Sequence, residues 1–91
     1  MDFKKGDLVM AINGREKGEY FVIKDITGNT ALLVNGKSRT LNNPKPKNLK
    51  HIKFCKNLNL DFKFIHDCDI IHNINMFKCG FNNKVEELKR G

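Results

Sequence analysis

Three turn signals fall within the first 36 residues: Asn13-Gly14, Gly28-Asn29 and Asn35-Gly36. Each accepts the left-handed backbone conformations that tight turns need. Short apolar runs lie between them. Leu8, Met10 and Ile12 alternate with Asp7, Val9 and Ala11, which is a strand period. Tyr20-Phe21-Val22-Ile23-Lys24-Asp25-Ile26 is aromatic and β-branched, and Thr30-Ala31-Leu32-Leu33-Val34 follows it. Lys37-Ser38-Arg39-Thr40-Leu41 is expected to pair back across Asn35-Gly36 as a fourth strand. Pro44 and Pro46 then prevent regular pairing. Leu49 to Phe54 reads as a last short strand, or as a single turn followed by one. Four or five short strands with three turn signals predict a mainly β fold, a small antiparallel barrel. Closing such a sheet removes its edges.

The second half differs. Asp67 or Asp69 can cap a helix whose apolar positions are Ile70, Ile71, Ile74 and Phe77. Lys78 falls in its last turn and Gly80 just past its expected end. Asn82 or Asn83 can cap a second short helix, Lys84 to Arg90, with Val85 and Leu88 toward a neighbour. Glu86 stands three after Asn83, which approximates a capping box. Leu58 to Phe64 alternates like a strand and reads equally as an irregular packing arm. The expected organisation is a barrel over residues 1–55, with an arm and short α-helical appendix over 56–91 packed on it.

The chain of 91 residues has room for one domain. Such a chain buries only roughly 60% of its unfolded surface, so its core is thin. Barrels of eight strands and helices, and doubly wound sheets, do not fit. The longest apolar run, Leu8 to Ile12, falls far short of the about 20 residues of a membrane span. Met1 to Asp7 lacks the apolar segment of a secretory signal, so a cytoplasmic location is expected. Cys55, Cys68 and Cys79 are odd in number and irregular in spacing, which suits free thiols in a reducing compartment.

Charge is unevenly spread. The net charge is +7. Residues 1–53 hold eleven Lys or Arg against five Asp or Glu, giving +6; the remainder holds six against five, giving +1. No acidic residue stands between Asp25 and Asp61, a window that contains Lys37, Arg39, Lys45, Lys47, Lys50, Lys53 and Lys56. A polyanion, nucleic acid foremost, is the partner such a surface suits. The alternative is a solvated face that keeps the protein soluble.

Gly6-Asp7-Leu8-Val9, then Asn13-Gly14-Arg15-Glu16-Lys17-Gly18, then Glu19 to Ile26 together resemble a KOW motif. The version is similar to that of bacterial KOW-domain RNA-binding proteins and of the eukaryotic and archaeal ribosomal protein eL14 family. Ala31 to Gly36, and the Pro/Lys segment Pro44-Lys45-Pro46-Lys47-Asn48-Leu49-Lys50-His51-Ile52, extend the resemblance over residues 3–54. The C-terminal end is only loosely similar, and Phe54 to His66 departs from the pattern. The resemblance implies an SH3-like barrel and RNA binding, commonly ribosomal.

The residues suit that role. In the Asn13–Gly18 loop, Gly14 and Gly18 permit close backbone approach and leave N–H groups free for phosphate or base edges. Arg15 offers a fork that can bond phosphate or a guanine edge in two places. Lys17 adds a point charge, and Asn13 can both donate and accept. Glu16 and Glu19 are expected to be solvated, or to temper the loop's grip on anions. The alternative is a tight strand connection with ordinary exposed tips.

A second candidate surface combines Lys37, Arg39, Lys45, Lys47 and Lys50. In a strand, Lys37 and Arg39 share a face, and the prolines hold Lys45 and Lys47 extended along a track for phosphates. Lysines on a sheet edge also block aggregation, which is the competing explanation. Tyr20 and Phe3 are candidates to stack on unpaired bases, or else belong to the core.

Other chemistries find less support. His51, Cys55, His66, Cys68, His72 and Cys79 match no common zinc spacing, so no metal site is expected. No third group is in evidence to orient a Cys–His pair, and Gly14-x-x-x-Gly18 lacks the phosphate-loop ending. The expectation is therefore a non-catalytic RNA-binding protein without cofactor or small-molecule substrate. A module that docks on a ribosomal or transcription protein through Phe62, Phe64, Ile70, Ile74 and Phe77 is the alternative. DNA is a weaker third option, since no helix is both basic and long enough to read a major groove.

Overall fold

A computed structural model describes residues 3–90, with side chains from Phe3 to Cys79. Five strands form one antiparallel sheet: β1 (Asp7–Ala11), β2 (Tyr20–Thr27), β3 (Thr30–Val34), β4 (Lys45–Asn48) and β5 (Ile52–Asn57). Their spatial order is β4-β3-β2-β1-β5. A 3-10 turn, Leu49–His51, joins β4 to β5, and a helix, α1 (Asp67–Arg90), follows. The fold is mainly β, as expected. The sheet is not closed, however: β4 and β5 are edges and do not pair with each other.

Apolar side chains are buried on both faces of the sheet, which explains why β2 and β3 read as continuous apolar runs. Val9, Ala11, Phe21, Ile23, Ala31, Leu33 and Ile52 form one cluster, with Phe3, Ile26 and Leu49 against it. Leu8, Val22 and Val34 form the other with Ile70 and Ile74 of α1. Leu58, Leu60, Phe62 and Ile65 pack on that second cluster from the chain between β5 and α1. The alternation at Leu58 to Phe64 is therefore that of an irregular arm. Two bulges interrupt the ladders. Leu8 pairs with Lys56 and Val9 with Phe54, leaving Cys55 unopposed; Ile23 pairs with Leu33 and Asp25 with Leu32, leaving Lys24 unopposed. Each bends its strand and raises the local twist.

The fourth strand is not where the Asn35-Gly36 turn predicts it. Lys37 to Leu41 forms no strand. The Asn35 side-chain oxygen accepts from the backbone N–H of both Lys37 and Arg39, each at 2.9 Å, and folds the segment into a tight turn. The Arg39 carbonyl accepts from Asn35 and Gly36 N–H at 2.8 and 3.0 Å. Gly36 has φ +82°, and a Cβ there would lie 2.5 Å from the Asp67 carbonyl oxygen and 2.6 Å from Ile71 Cγ1. The helix thus lies directly against the turn. The Pro/Lys segment takes its place instead: β4 pairs with β3, with Pro46 opposite Leu32. A proline is tolerated there because an edge strand has only one neighbour to satisfy. Of the two readings of Leu49 to Phe54, the turn followed by a strand is the one observed.

One helix replaces the two expected; α1 runs through Gly80 to Arg90 without a break. A glycine inside a helix is unfavourable by only about 1 kcal/mol, which a long helix absorbs. The side chains of Val85, Glu86 and Leu88 lie outside the described residues. At the start of α1, the His66 N–H donates to Asp69 Oδ2 at 2.9 Å, half of a capping box with Asp69 as the third helical residue. Asp67 Oδ1 accepts from the Leu41 N–H at 2.7 Å and ties the helix to the β3–β4 connection.

Candidate nucleic-acid interface

The β1–β2 loop is a stack of short turns. Lys17 N–H donates to the Gly14 carbonyl at 3.2 Å, Glu19 N–H to Glu16 at 2.8 Å, and Gly18 N–H to Ala11 at 2.7 Å. Gly14 and Gly18, at φ +78° and +92°, supply the left-handed residues this path requires. Asn13, Gly14, Arg15 and Lys17 are all exposed on it.

Glu16 is not solvated with them. Its side chain turns inward to β4, with Oε2 3.4 Å from Lys45 Nζ and Oε1 3.4 Å from Lys47 Nζ. The Lys45 and Lys47 side chains are only 27% and 10% exposed, so neither lies open along a phosphate track. The register explains this. Lys45 opposes Leu33 and Lys47 opposes Ala31, so both share the face of the first apolar cluster. They are inward-pointing charges on an edge strand, a device that protects an unpaired edge. Burial opposes ionisation of Glu16, but the hydrogen bond from Lys47 and the Lys45 charge outweigh it. Its carboxyl is held below the ordinary range.

The 3-10 turn lies beside the same loop, because Ile12 N–H donates to the His51 carbonyl at 2.9 Å. Asn48 caps that turn, its side-chain oxygen accepting from Lys50 N–H at 3.0 Å. Lys50 is exposed, as are Lys53 and Lys56 on β5. Among the described residues, Arg15, Lys17, Lys50, Lys53 and Lys56 pair with no carboxylate. Phe54 lies between the two β5 lysines in sequence and is 39% exposed; it opposes Val9, whereas Lys53 and Lys56 oppose Met10 and Leu8 on the other face of the sheet.

Lys37 and Arg39 lie elsewhere and do not form a strand face. Lys37 is exposed, Arg39 half-buried. A groove of about 370 Å³ separates Lys37 from α1, with Tyr20 and Ile74 in its walls and Lys78 opposite. Lys78 Nζ sits 5.7 Å from the Tyr20 ring centroid, within cation–π range. Tyr20 also meets Phe77 edge-on at 5.6 Å. Tyr20 and Phe3 therefore serve packing, and Phe54 is the aromatic the β5 edge leaves accessible. Its signal in the sequence is Lys53-Phe54-Cys55-Lys56, where an aromatic lies between two lysines inside the acid-free run.

The expected docking face is largely used inside the fold. Ile70 and Ile74 are buried against the sheet, and Phe62 and Phe77 are half-buried; Phe64 and Met76 stay exposed. Cys55 packs in the second cluster, where burial pushes its thiol pKa up against the opposing charge of Lys53. A raised pKa makes a poor nucleophile. Among the described residues, no group of three or more His, Cys, Asp or Glu side chains is placed to hold a metal ion, and no helix is long and apolar enough to cross a membrane. No protein-family model matches the chain, and no curated protein matches it.

Proposed function

We propose that this protein binds RNA through the cationic surface running from the β1–β2 loop, over the 3-10 turn, and along β5. The observation that carries this reading is the set of exposed cations, Arg15, Lys17, Lys50, Lys53 and Lys56, that pair with no carboxylate among the described residues. Neutralising phosphates with such groups supplies much of nucleic-acid affinity. Phe54 adds a ring on which an unpaired base can stack, which favours RNA with single-stranded stretches over a uniform duplex.

The KOW resemblance leads to the same reading and makes ribosomal RNA the first partner to test. It also leads us to read the sheet as an open SH3-like barrel, its ends joined by the 3-10 turn between β4 and β5. In this account the protein works in the cytoplasm, on RNA or an RNA-bearing particle, without cofactor or catalysis.

The test is charge reversal followed by RNA crosslinking in cells. Arg15→Glu with Lys17→Glu, and Lys53→Glu with Lys56→Glu, are each expected to reduce crosslinked RNA at least about tenfold, as loss of two phosphate contacts implies. Undiminished crosslinking in both variants would sink the reading. Retained attachment to a particle that does not respond to salt would point instead to protein docking through Phe64 and Met76.

A further inference from the structure

Glu16 places one carboxylate between two ammonium groups, each oxygen facing a different lysine at 3.4 Å. This is the arrangement in which two lysines would hold two oxygens of a phosphate. The separations exceed the roughly 2.7–2.9 Å of a strong charge-assisted contact, so the carboxylate is held loosely. It is also carried on an exposed loop whose path turns at Gly14 and Gly18, while Lys45 and Lys47 are fixed by the pairing of β4 with β3. The lysines thus belong to the paired sheet and Glu16 to a surface loop. Arg15 and Lys17, on either side of Glu16, point to solvent.

Resting on the RNA reading above, we infer that Lys45 and Lys47 form a phosphate-binding site that Glu16 occupies in the free protein and yields to RNA. The exchange replaces one anion with another, so the two lysines keep one counter-charge between them throughout. Exposed Arg15 and Lys17 make first contact; the incoming phosphate then displaces the carboxylate. Glu16 sets the threshold affinity, rejecting anions too weak to compete with a tethered carboxylate.

The experiment measures binding of a fluorescent single-stranded RNA oligonucleotide, across a salt series, by wild type, Glu16→Gln and Glu19→Gln. Glu19 lies in the same loop, is exposed, and pairs with no lysine among the described residues, so its variant controls for the added net charge. Glu16→Gln is expected to bind about 2- to 30-fold more tightly, the range that two partly exposed ion pairs set. Its log–log salt slope should stay within about 0.5 of the wild type's, because the same phosphates are neutralised in both complexes. Glu19→Gln should change affinity less than about twofold. Adding Lys45→Ala and Lys47→Ala to Glu16→Gln should erase the gain, and circular dichroism spectra verify that each variant is folded. If wild type binds and Glu16→Gln binds equally or more weakly, Glu16 only positions the lysines and the inference fails while the RNA reading stands. An equal gain in Glu19→Gln also defeats it, as a long-range charge effect. If no protein binds RNA at low salt, both fall together.

Discussion

Glu16 lies 31 residues from Lys47 in sequence and touches it in the fold. That contact has a measurable acid signature. Glu16 is held below its ordinary pKa in the folded protein. A carboxyl shifted downward stabilises the fold above its unfolded pKa, and this contribution is lost as pH falls through the folded value. The stability gap between wild type and Glu16→Gln should therefore be full at neutral pH, below about 2 kcal/mol for partly exposed pairs, and close on acidification. Urea midpoints of both proteins across that range check it; a gap that persists in acid contradicts the ion-pair account. Gly36 gives a second test at the same scale. Its positive φ and the nearness of Asp67 and Ile71 leave no space for a methyl group. Gly36→Ala should lower stability by about 2–4 kcal/mol, combining backbone strain with overpacking. A thermal midpoint within a degree or two of wild type would mean that α1 does not press on this turn.

Among the elements, α1 is held by the few side chains that reach the sheet. Ile70 is fully buried beside Leu8, Val22 and Val34. Ile70→Ala should lose about 2–5 kcal/mol, the usual range for a large-to-small change in a core, while exposed Met76→Ala should cost little. Equal effects at the two positions would refute this packing. Elements whose cause is local were legible in the sequence. A strand at Asp7–Ala11, the Gly28-Asn29 hairpin and a helix that turns Ile70 and Ile74 to the sheet appear as read, although the alternation of Leu8, Met10 and Ile12 does not set burial, since Asp7, Val9 and Ala11 are buried and Ile12 is 41% exposed. The strand at Lys45–Asn48 was not legible, because tolerance of Pro46 depends on its lying at a sheet edge. Lys37 to Leu41 failed as a strand for a tertiary reason as well: the Asn35 side chain folds the turn and α1 lies directly against it. The candidate site divides the same way. Exposure of Arg15, Lys17 and Lys50 follows from loop and turn chemistry. The capture of Lys45 and Lys47 by Glu16 depends on a loop meeting a distant strand, which no local pattern encodes.

At the scale of the molecule, the sheet is covered by apolar clusters on both faces, so its charge is left to loops and edges. The +6 of residues 1–53 is distributed accordingly. Some is spent inside, on the Glu16 cluster; the rest faces solvent around the β1–β2 loop, the 3-10 turn and β5. Asp7 shows the opposite use of charge. It is 1% exposed and accepts from Lys4 N–H at 2.8 Å and Asn57 Nδ2 at 2.7 Å, so it joins the start of β1 to the end of β5. If phosphates are the partner, counterion release must appear in the affinity. Binding of a single-stranded RNA oligonucleotide, followed by fluorescence anisotropy over a range of salt concentrations, measures this directly. Four to five phosphate contacts predict a log–log slope of about −3 to −3.5, reduced to about half by Lys53→Glu with Lys56→Glu. A slope near zero, or one those substitutions leave unchanged, would contradict RNA binding through this surface.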